Sequence, residues 1–246
     1  MIDFETLALG TLPPVISLSA VRFKVDALCH REPPFERTRA EFAELDNIHI
    51  GVDPGDCIDT YGAKLDKGTL AWWMEQDDAA RAEQVTLIRN ALPMNTALLR
   101  LVDFVSGKIA TCTGPAEEDI SWSHGAGTDE MYAARIDGGP TVWSKGSTFD
   151  IAILERYFEL AGIREPWHYR NVMDVRTIER QAWITGPKYP SLDLAALGTR
   201  YHSALGDCWA QIDRVQRAHH RIQNAITAAE TAGQLNVHTP PPKENK

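Results

Sequence analysis

The sequence predicts an α/β fold with a mixed central sheet flanked by helices. Short alternating, β-branched runs stand at residues 15–25 and 48–52. Long stretches with helical apolar spacing follow at 69–90 and 95–106. Further on, at 141–161 and 167–180, a short apolar strand runs straight into a helix. Strands alternating with helices in this way belong to α/β architectures rather than to bundles or sandwiches.

The 246 residues suffice for one domain, expected over 1–230, with a surface insertion at about 107–140 and a disordered tail at 231–246. A composition of 43% hydrophobic and 24% charged residues is ordinary for a soluble protein. No apolar run reaches the length of a membrane span, and no signal-peptide pattern precedes the first acids, so a cytoplasmic location is expected. Cys29, Cys57, Cys112 and Cys208 form no CxxC pair, which argues against a disulfide framework or zinc knuckle. A net charge of −9 speaks against nucleic acid as a partner, unless clustered acids carry divalent ions that reverse the local sign.

The chain opens Met1-Ile2-Asp3-Phe4-Glu5-Thr6. On a strand, residues two apart share a face, so Asp3 and Glu5 project together while Ile2 and Phe4 face a core. Adjacent carboxylates repel unless a cation sits between them. Oxygen ligands of this kind suit Mg²⁺ or Mn²⁺ rather than zinc. An exposed acidic strand end has the same pattern, so the pair gains meaning only with further acids. The strand begins very near the first residue: either its edge frays or the true start lies upstream.

Residues 10–14 form a loop, since Pro13-Pro14 excludes helix. Residues 15–25 are a strand pairing with the first, 35–45 are partly helical, and 48–52 are a third strand followed by a Pro-Gly turn. Residues 69–90 read as one helix capped by Thr69, with Leu70, Trp73, Met74, Ala80, Val85 and Ile88 as its stripe. Trp72-Trp73 invites base stacking, but at least one of the two belongs in the core. Residues 95–106 make a second helix, with Asn95 at its cap. Within the 107–140 insertion, His124, Glu117, Glu118 and Asp119 read as solvated loop groups.

Asp150 stands where the strand at 141–144 turns into the helix at 151–161. Functional groups gather beyond the carboxyl ends of strands in α/β folds. Asp is equally a good helix cap, so Asp150 taken alone reads either way. Asp174 and Arg176, at the second such junction, read as structural. Residues 192–198 make a short helix ended by Gly198. The last helix opens with Tyr201-His202-Ser203-Ala204-Leu205-Gly206-Asp207 and runs to about 230. Helical positions five apart differ by about 140° around the axis. His202 therefore belongs on the loop ahead of that helix, free to swing over a site that Asp207 helps build. His219-His220 with Arg217 and Arg221 read as a solvated helix face.

Asp-x-Glu on the first strand, Phe-Asp opening a middle helix and His-x4-Asp opening the last one stand in a fixed order. In this the chain resembles the DEDDh group of 3′–5′ exonucleases, from Asp3 to Asp207. MIDFETL, TLAWWMEQ, VWSKGSTFD, MDVRT and HSALGD are further similar to a phage and bacterial branch of that superfamily. That branch holds phage T4 exonuclease A, prophage exodeoxyribonuclease VIII-like proteins and a mycobacterial 3′–5′ exoribonuclease. One departure stands out. Many members carry asparagine three residues before the Phe of the Phe-Asp pair, where this chain has Gly146.

The resemblance implies a ribonuclease H-like fold and two-metal hydrolysis. Asp3, Glu5, Asp150 and Asp207 would bind two Mg²⁺ or Mn²⁺ ions, one activating a water and the other stabilising the leaving 3′ oxygen. His202 would serve as general base, a task suited to its pKa near neutrality. Nucleoside 5′-monophosphates would leave singly from single-stranded ends or 3′ overhangs of DNA or RNA. Phe4, Thr6, Leu7 and Phe149 are the expected substrate-binding residues, the apolar ones stacking the terminal base. Lys145 and Arg200 flank the motifs, either touching phosphate or staying solvated. A homodimer and a bacterial or phage-infected cytoplasm are expected on the same grounds. Two rival readings use related chemistry. A ribonuclease H-like endonuclease does not require the His-x4-Asp ending. A catalytically idle nucleic-acid-binding module would be marked by a lost acid, and none is lost.

Overall fold

The computed structural model describes residues 1–29, 31, 33, 35–108, 112–113 and 139–233. Most of the expected insertion and tail, including His124, Glu117, Glu118 and Asp119, lies outside the described residues. Strands β1 (Ile2–Thr6), β2 (Val15–Val21), β3 (Asn47–Gly51) and β4 (Cys112–Thr113) form a sheet in that order. β1 pairs antiparallel with β2, β2 antiparallel with β3, and β3 parallel with β4. β4 falls inside the stretch expected to be loop. Strands β5 (Val142–Ser144) and β6 (Val172–Asp174) pair in parallel, and β5 lies against β1. The fold is thus mixed α/β, with both strand senses present.

On β1 the expected alternation holds: Ile2, Phe4 and Thr6 are buried while Asp3 and Glu5 are half-buried. β2 ends at Val21 rather than continuing to 25, and just past it the Arg22 backbone N–H donates to the Asp46 carbonyl while its Nη1 lies 2.9 Å from Asp46 Oδ2. The Pro-Gly segment after β3 opens a helix rather than only a turn: α2 (Pro54–Tyr61) has Pro at its start and Asp53 as its cap.

The remaining helices are α1 (Arg39–Ala43), α3 (Lys67–Glu75), α4 (Asp78–Arg89), α5 (Met94–Val105), α6 (Asp150–Ala161), α7 (Val175–Trp183) and α8 (Ala204–Thr231). The single helix expected over 69–90 is two, because Asp77 takes a backbone N–H group that a continuous helix would have used. Asp66 caps α3 by accepting from Thr69 N at 2.7 Å, so Thr69 is not the cap. Asp77 caps α4 by accepting from Ala80 N at 2.7 Å, with Gln76 extended between the helices. The break dissolves the expected stripe, and Met74 and Val85 end up exposed. α5 starts one residue before Asn95, with Pro93 at its cap position. Around residue 195 the backbone makes successive turns instead of a helix, although Leu194 and Leu197 are buried.

Two apolar clusters hold these elements. Phe4, Leu18, Ile50, Leu98, Leu101 and Tyr157 belong to one. Val21, Trp143, Val175, Trp209 and Ile212 belong to the other, where Phe42 stacks on Trp209 at 5.4 Å. α8 lies across β1 and β2 and makes this second cluster possible. Its His219–Arg221 region is not the solvated face expected from the sequence. His220 is buried edge-on against Phe35, and Arg217 donates to the Phe35 carbonyl at 2.9 Å. Among the described residues no helix is long and apolar enough to cross a membrane.

Candidate active site

Three separate elements deliver the four acids. Asp3 and Glu5 come from β1, Asp150 is the first residue of α6, and Asp207 lies in the first turn of α8. One ligand atom each from Glu5, His202 and Asp207 lies within 4.8 Å of the others. Asp3, Asp150, His202 and Asp207 border a cleft of about 430 Å³, with Lys145 and Arg176 also on its wall. The motifs that lie far apart in the chain therefore meet at one place.

His202 precedes α8, as its spacing from Asp207 requires. Its φ of +62° is the only positive value at a non-glycine among the described residues. Its backbone N–H donates to Asp207 Oδ2 at 3.0 Å, and its exposed imidazole stands edge-on to Trp72. Trp72 is partly exposed, whereas Trp73 is core and donates from Nε1 to the Thr6 carbonyl at 2.9 Å. One tryptophan of the pair is thus structural and the other touches the site.

Asp150 is buried and is not the residue in the cap position of α6, which is Phe149. Cap duty falls instead to Asp174. Its Oδ1 accepts from Arg176 N at 2.7 Å, and its Oδ2 from Gly146 N at 2.9 Å and Ser147 N at 2.7 Å. Asp174 so fastens the turn before Asp150 to the start of α7, in keeping with its structural reading. Gly146 in that turn has φ +106°, and a Cβ there would lie 2.4 Å from Arg176 Nη1. The departure at Gly146 is thereby explained: the place a side chain would fill is taken by the Arg176 guanidinium.

The electrostatics follow from crowding. Burial, then the charges of Asp150, Glu5 and Asp207, push the Asp3 carboxyl well above its usual range. Glu5 is pushed up to about 8 by burial and by Asp207, Asp150 and Glu83. Asp150 rises to about 7 through burial, which outweighs the opposing charge of Arg176. Burial also raises Asp207. Carboxyls this close hold protons unless positive charge replaces them. The donor set of carboxylates and one imidazole fits a hard divalent cation. Gln211, four residues after Asp207 and so on the same helix face, donates from Nε2 to Asp3 Oδ1 at 2.7 Å.

The expected substrate-binding residues separate. Phe149 lines the cleft. Phe4 lies behind it in the core, the two rings 6.1 Å apart, and supports Phe149 rather than offering a free face. Thr6 is buried, with Oγ1 donating to the Ala8 carbonyl at 2.7 Å. Leu7 is half-buried, its carbonyl accepting from Asp66 N at 3.1 Å, and does not line the cleft. Arg200 is held by Asp77 at 3.2 Å and Glu83 at 3.7 Å.

Residues 1–219 match the Rv2179c-like 3′–5′ exoribonuclease domain family. The chain belongs to this family. It is accordingly a 3′–5′ exonuclease, a hydrolase of phosphodiester bonds. No curated protein matches the chain. In this Rv2179c-like enzyme the sequence motifs missed one neighbour of the acids, Gln211, and gave Trp72 and Arg176 no firm place beside the site. Helical spacing from Asp207 points to Gln211. Trp72 and Arg176 stand in the TLAWWMEQ and MDVRT segments, and folding brings both from distant parts of the chain to the site.

Proposed function

We propose that the chain is a DEDDh-type, metal-dependent 3′–5′ exonuclease that removes nucleoside 5′-monophosphates from single-stranded ends or 3′ overhangs of DNA or RNA. The observation that carries this reading is the convergence of Glu5, His202 and Asp207 within 4.8 Å, beside a cleft that Asp3 and Asp150 also border. The antiparallel β1–β2 pair, with the parallel β5–β6 pair lying against β1, supports a ribonuclease H-like arrangement.

Asp3, Glu5, Asp150 and Asp207 would hold two Mg²⁺ or Mn²⁺ ions. Such ions supply Lewis-acid stabilisation of charge on the phosphoryl group and ease ionisation of water at neutral pH. His202, exposed and beside both Glu5 and Asp207, takes the proton from the attacking water. The water oxygen bonds to phosphorus, the bond to the 3′ oxygen breaks, and that oxygen gains a proton from solvent. Asp207 fixes the His202 backbone, and Gln211 fixes Asp3. Lys145 and Arg176 face the backbone phosphates, and Phe149 and Tyr201 flank the terminal nucleotide.

The test is degradation of matched 3′- and 5′-labelled single-stranded DNA and RNA with Mn²⁺. Stepwise shortening from the 3′ end with mononucleotide release is expected, and the DNA-to-RNA rate ratio assigns the substrate. Internal cuts would replace this reading with the endonuclease. Binding without any cleavage would replace it with the idle module.

A further inference from the structure

We propose that Glu83 on α4 is a positioning residue for His202, acting through a polar row that crosses the sheet and ends on the histidine turn. The inference rests on the role proposed for His202. Strand register sets Asp3, Ser19 and His49 side by side on β1, β2 and β3. Ser19 Oγ hydrogen-bonds with His49 Nδ1 at 2.6 Å, and His49 Nε2 stands 3.6 Å from Glu83 Oε1. The same Glu83 oxygen accepts from the Ser203 hydroxyl, while Oε2 lies 3.7 Å from Arg200 Nε. Next to Glu83, Gln84 Nε2 donates to the His202 carbonyl at 3.3 Å.

The histidine turn is therefore tied to α4 on both sides of His202 and at His202 itself. It needs such restraint. A non-glycine residue at φ +62° is held there only by its surroundings. The turn is also pressed onto α8, since a Cβ on Gly206 would lie 2.2 Å from the Arg200 carbonyl oxygen. Burial favours a neutral Glu83, but hydrogen bonds from His49 and Ser203, with the charges of His49 and Arg200, outweigh it and hold the carboxyl below its usual range. Glu83 is thus an anion that gathers three cationic or donor groups from β3 and the histidine turn. None of its hydrogen bonds reaches into the cleft, so, apart from its charge acting on Glu5, its effect on the reaction passes through His202.

Glu83→Gln keeps the size and an acceptor for Ser203 but removes the charge that holds Arg200 and His49. We expect kcat to fall about 10-fold with KM changed less than about 2-fold, the pattern of a lost transition-state interaction. The deciding measurement is the double mutant: in a His202→Ala background, Glu83→Gln should cost no further activity. An equal, additive loss in that background would show that Glu83 serves only the fold, and parental kcat in Glu83→Gln alone would also overturn the inference. If His202→Ala keeps the parental rate, the base assignment fails first and the positioning role falls with it. Should Glu83→Gln fail to fold, Ser203→Ala breaks the same link, since the Ser203 side chain makes no cap bond on α8. It should show the same pattern.

Discussion

The imidazole of His202 stands edge-on to the indole of Trp72, ring centroids 4.8 Å apart and planes at 87°. Trp72 thereby walls one side of the proposed base, on a helix whose next residue, Trp73, is anchored to the end of β1. Trp72→Ala leaves the imidazole free on that side. A drop in kcat of about 10-fold is expected, with Trp72→Phe retaining most of the rate, because orientation of a general base contributes at that scale. Single-turnover rates on a short single-stranded substrate check this. Equal losses in the two variants would point to a packing role instead.

The crowded carboxyls set a pH dependence with a definite sign. Glu5 at about 8 and Asp150 at about 7 in the fold lie above their unfolded values of 4.5 and 3.8. The folded, metal-free protein therefore binds protons that the unfolded chain releases, and its stability is lost as pH rises through this window. The melting temperature without metal should fall by on the order of 5 °C between pH 5 and pH 8. Added Mn²⁺ should restore more stability at pH 8 than at pH 5. Glu5→Gln should flatten the metal-free slope. Thermal melts at matched ionic strength decide it, and a metal-free melting temperature that rises over this range would contradict the crowding.

Asp174 behaves in the opposite sense. Its hydrogen bonds from backbone N–H groups outweigh burial and hold its carboxyl below the usual range. Its contribution is present above pH ~4 and is lost as pH falls through its lowered pKa. Asp174→Ala should cost about 1–2 kcal/mol, since it unties the turn at Gly146 and Ser147 as well as the start of α7. Urea unfolding at pH 7 measures that loss, and a midpoint equal to the parent's would refute the cap.

Gly146→Asn installs the residue common in the wider superfamily. Here it should impair the protein, because the φ of +106° and the Arg176 guanidinium both oppose a side chain. A loss of about 1–3 kcal/mol is expected from the backbone conformation alone. Adding Arg176→Ala should recover the part due to the clash and leave the part due to φ. Chemical denaturation of the single and double variants separates the two contributions.

Lys145 and Arg176 border the cleft, and for neither is there a carboxylate within salt-bridge distance among the described residues. If they receive phosphates, Arg176→Ala should raise KM about 5-fold or more and shallow its dependence on salt by about one phosphate contact. Arg200, already paired with Asp77 and Glu83, should show no such salt signature on substitution. Steady-state kinetics at several salt concentrations distinguish them.

Much of this site was legible in the sequence because its parts obey local rules. Asp3 and Glu5 share a face through strand alternation, and the five-residue step from His202 to Asp207 forces the histidine off the helix. Asp150 was ambiguous, and only the fold shows that the cap work at this corner belongs to Asp174. The break within 69–90 is not legible because an apolar period carries no record of it, whereas Asp77 takes an N–H group that continuation of one helix would have used. Phe4 was given two duties at once. A strand residue facing the core cannot also present its ring to a substrate on the other side. Glu83 gave no signal and Arg176 read only as structural, because their partners lie far away in the chain, and charge spacing says nothing of contacts made only on folding.

The most direct test of the account is the divalent-ion dependence of mononucleotide release from a 3′-labelled single strand, by the parent chain and by Asp150→Asn. The account predicts release with Mn²⁺ or Mg²⁺ and none with EDTA. It predicts a rate at least about 1,000-fold lower for Asp150→Asn, the scale on which an ion's contribution to the barrier is lost. The metal-free variant should be at least as stable as the parent, because one repelling carboxyl is gone. Release that persists in EDTA, or at the parental rate in Asp150→Asn, would contradict it.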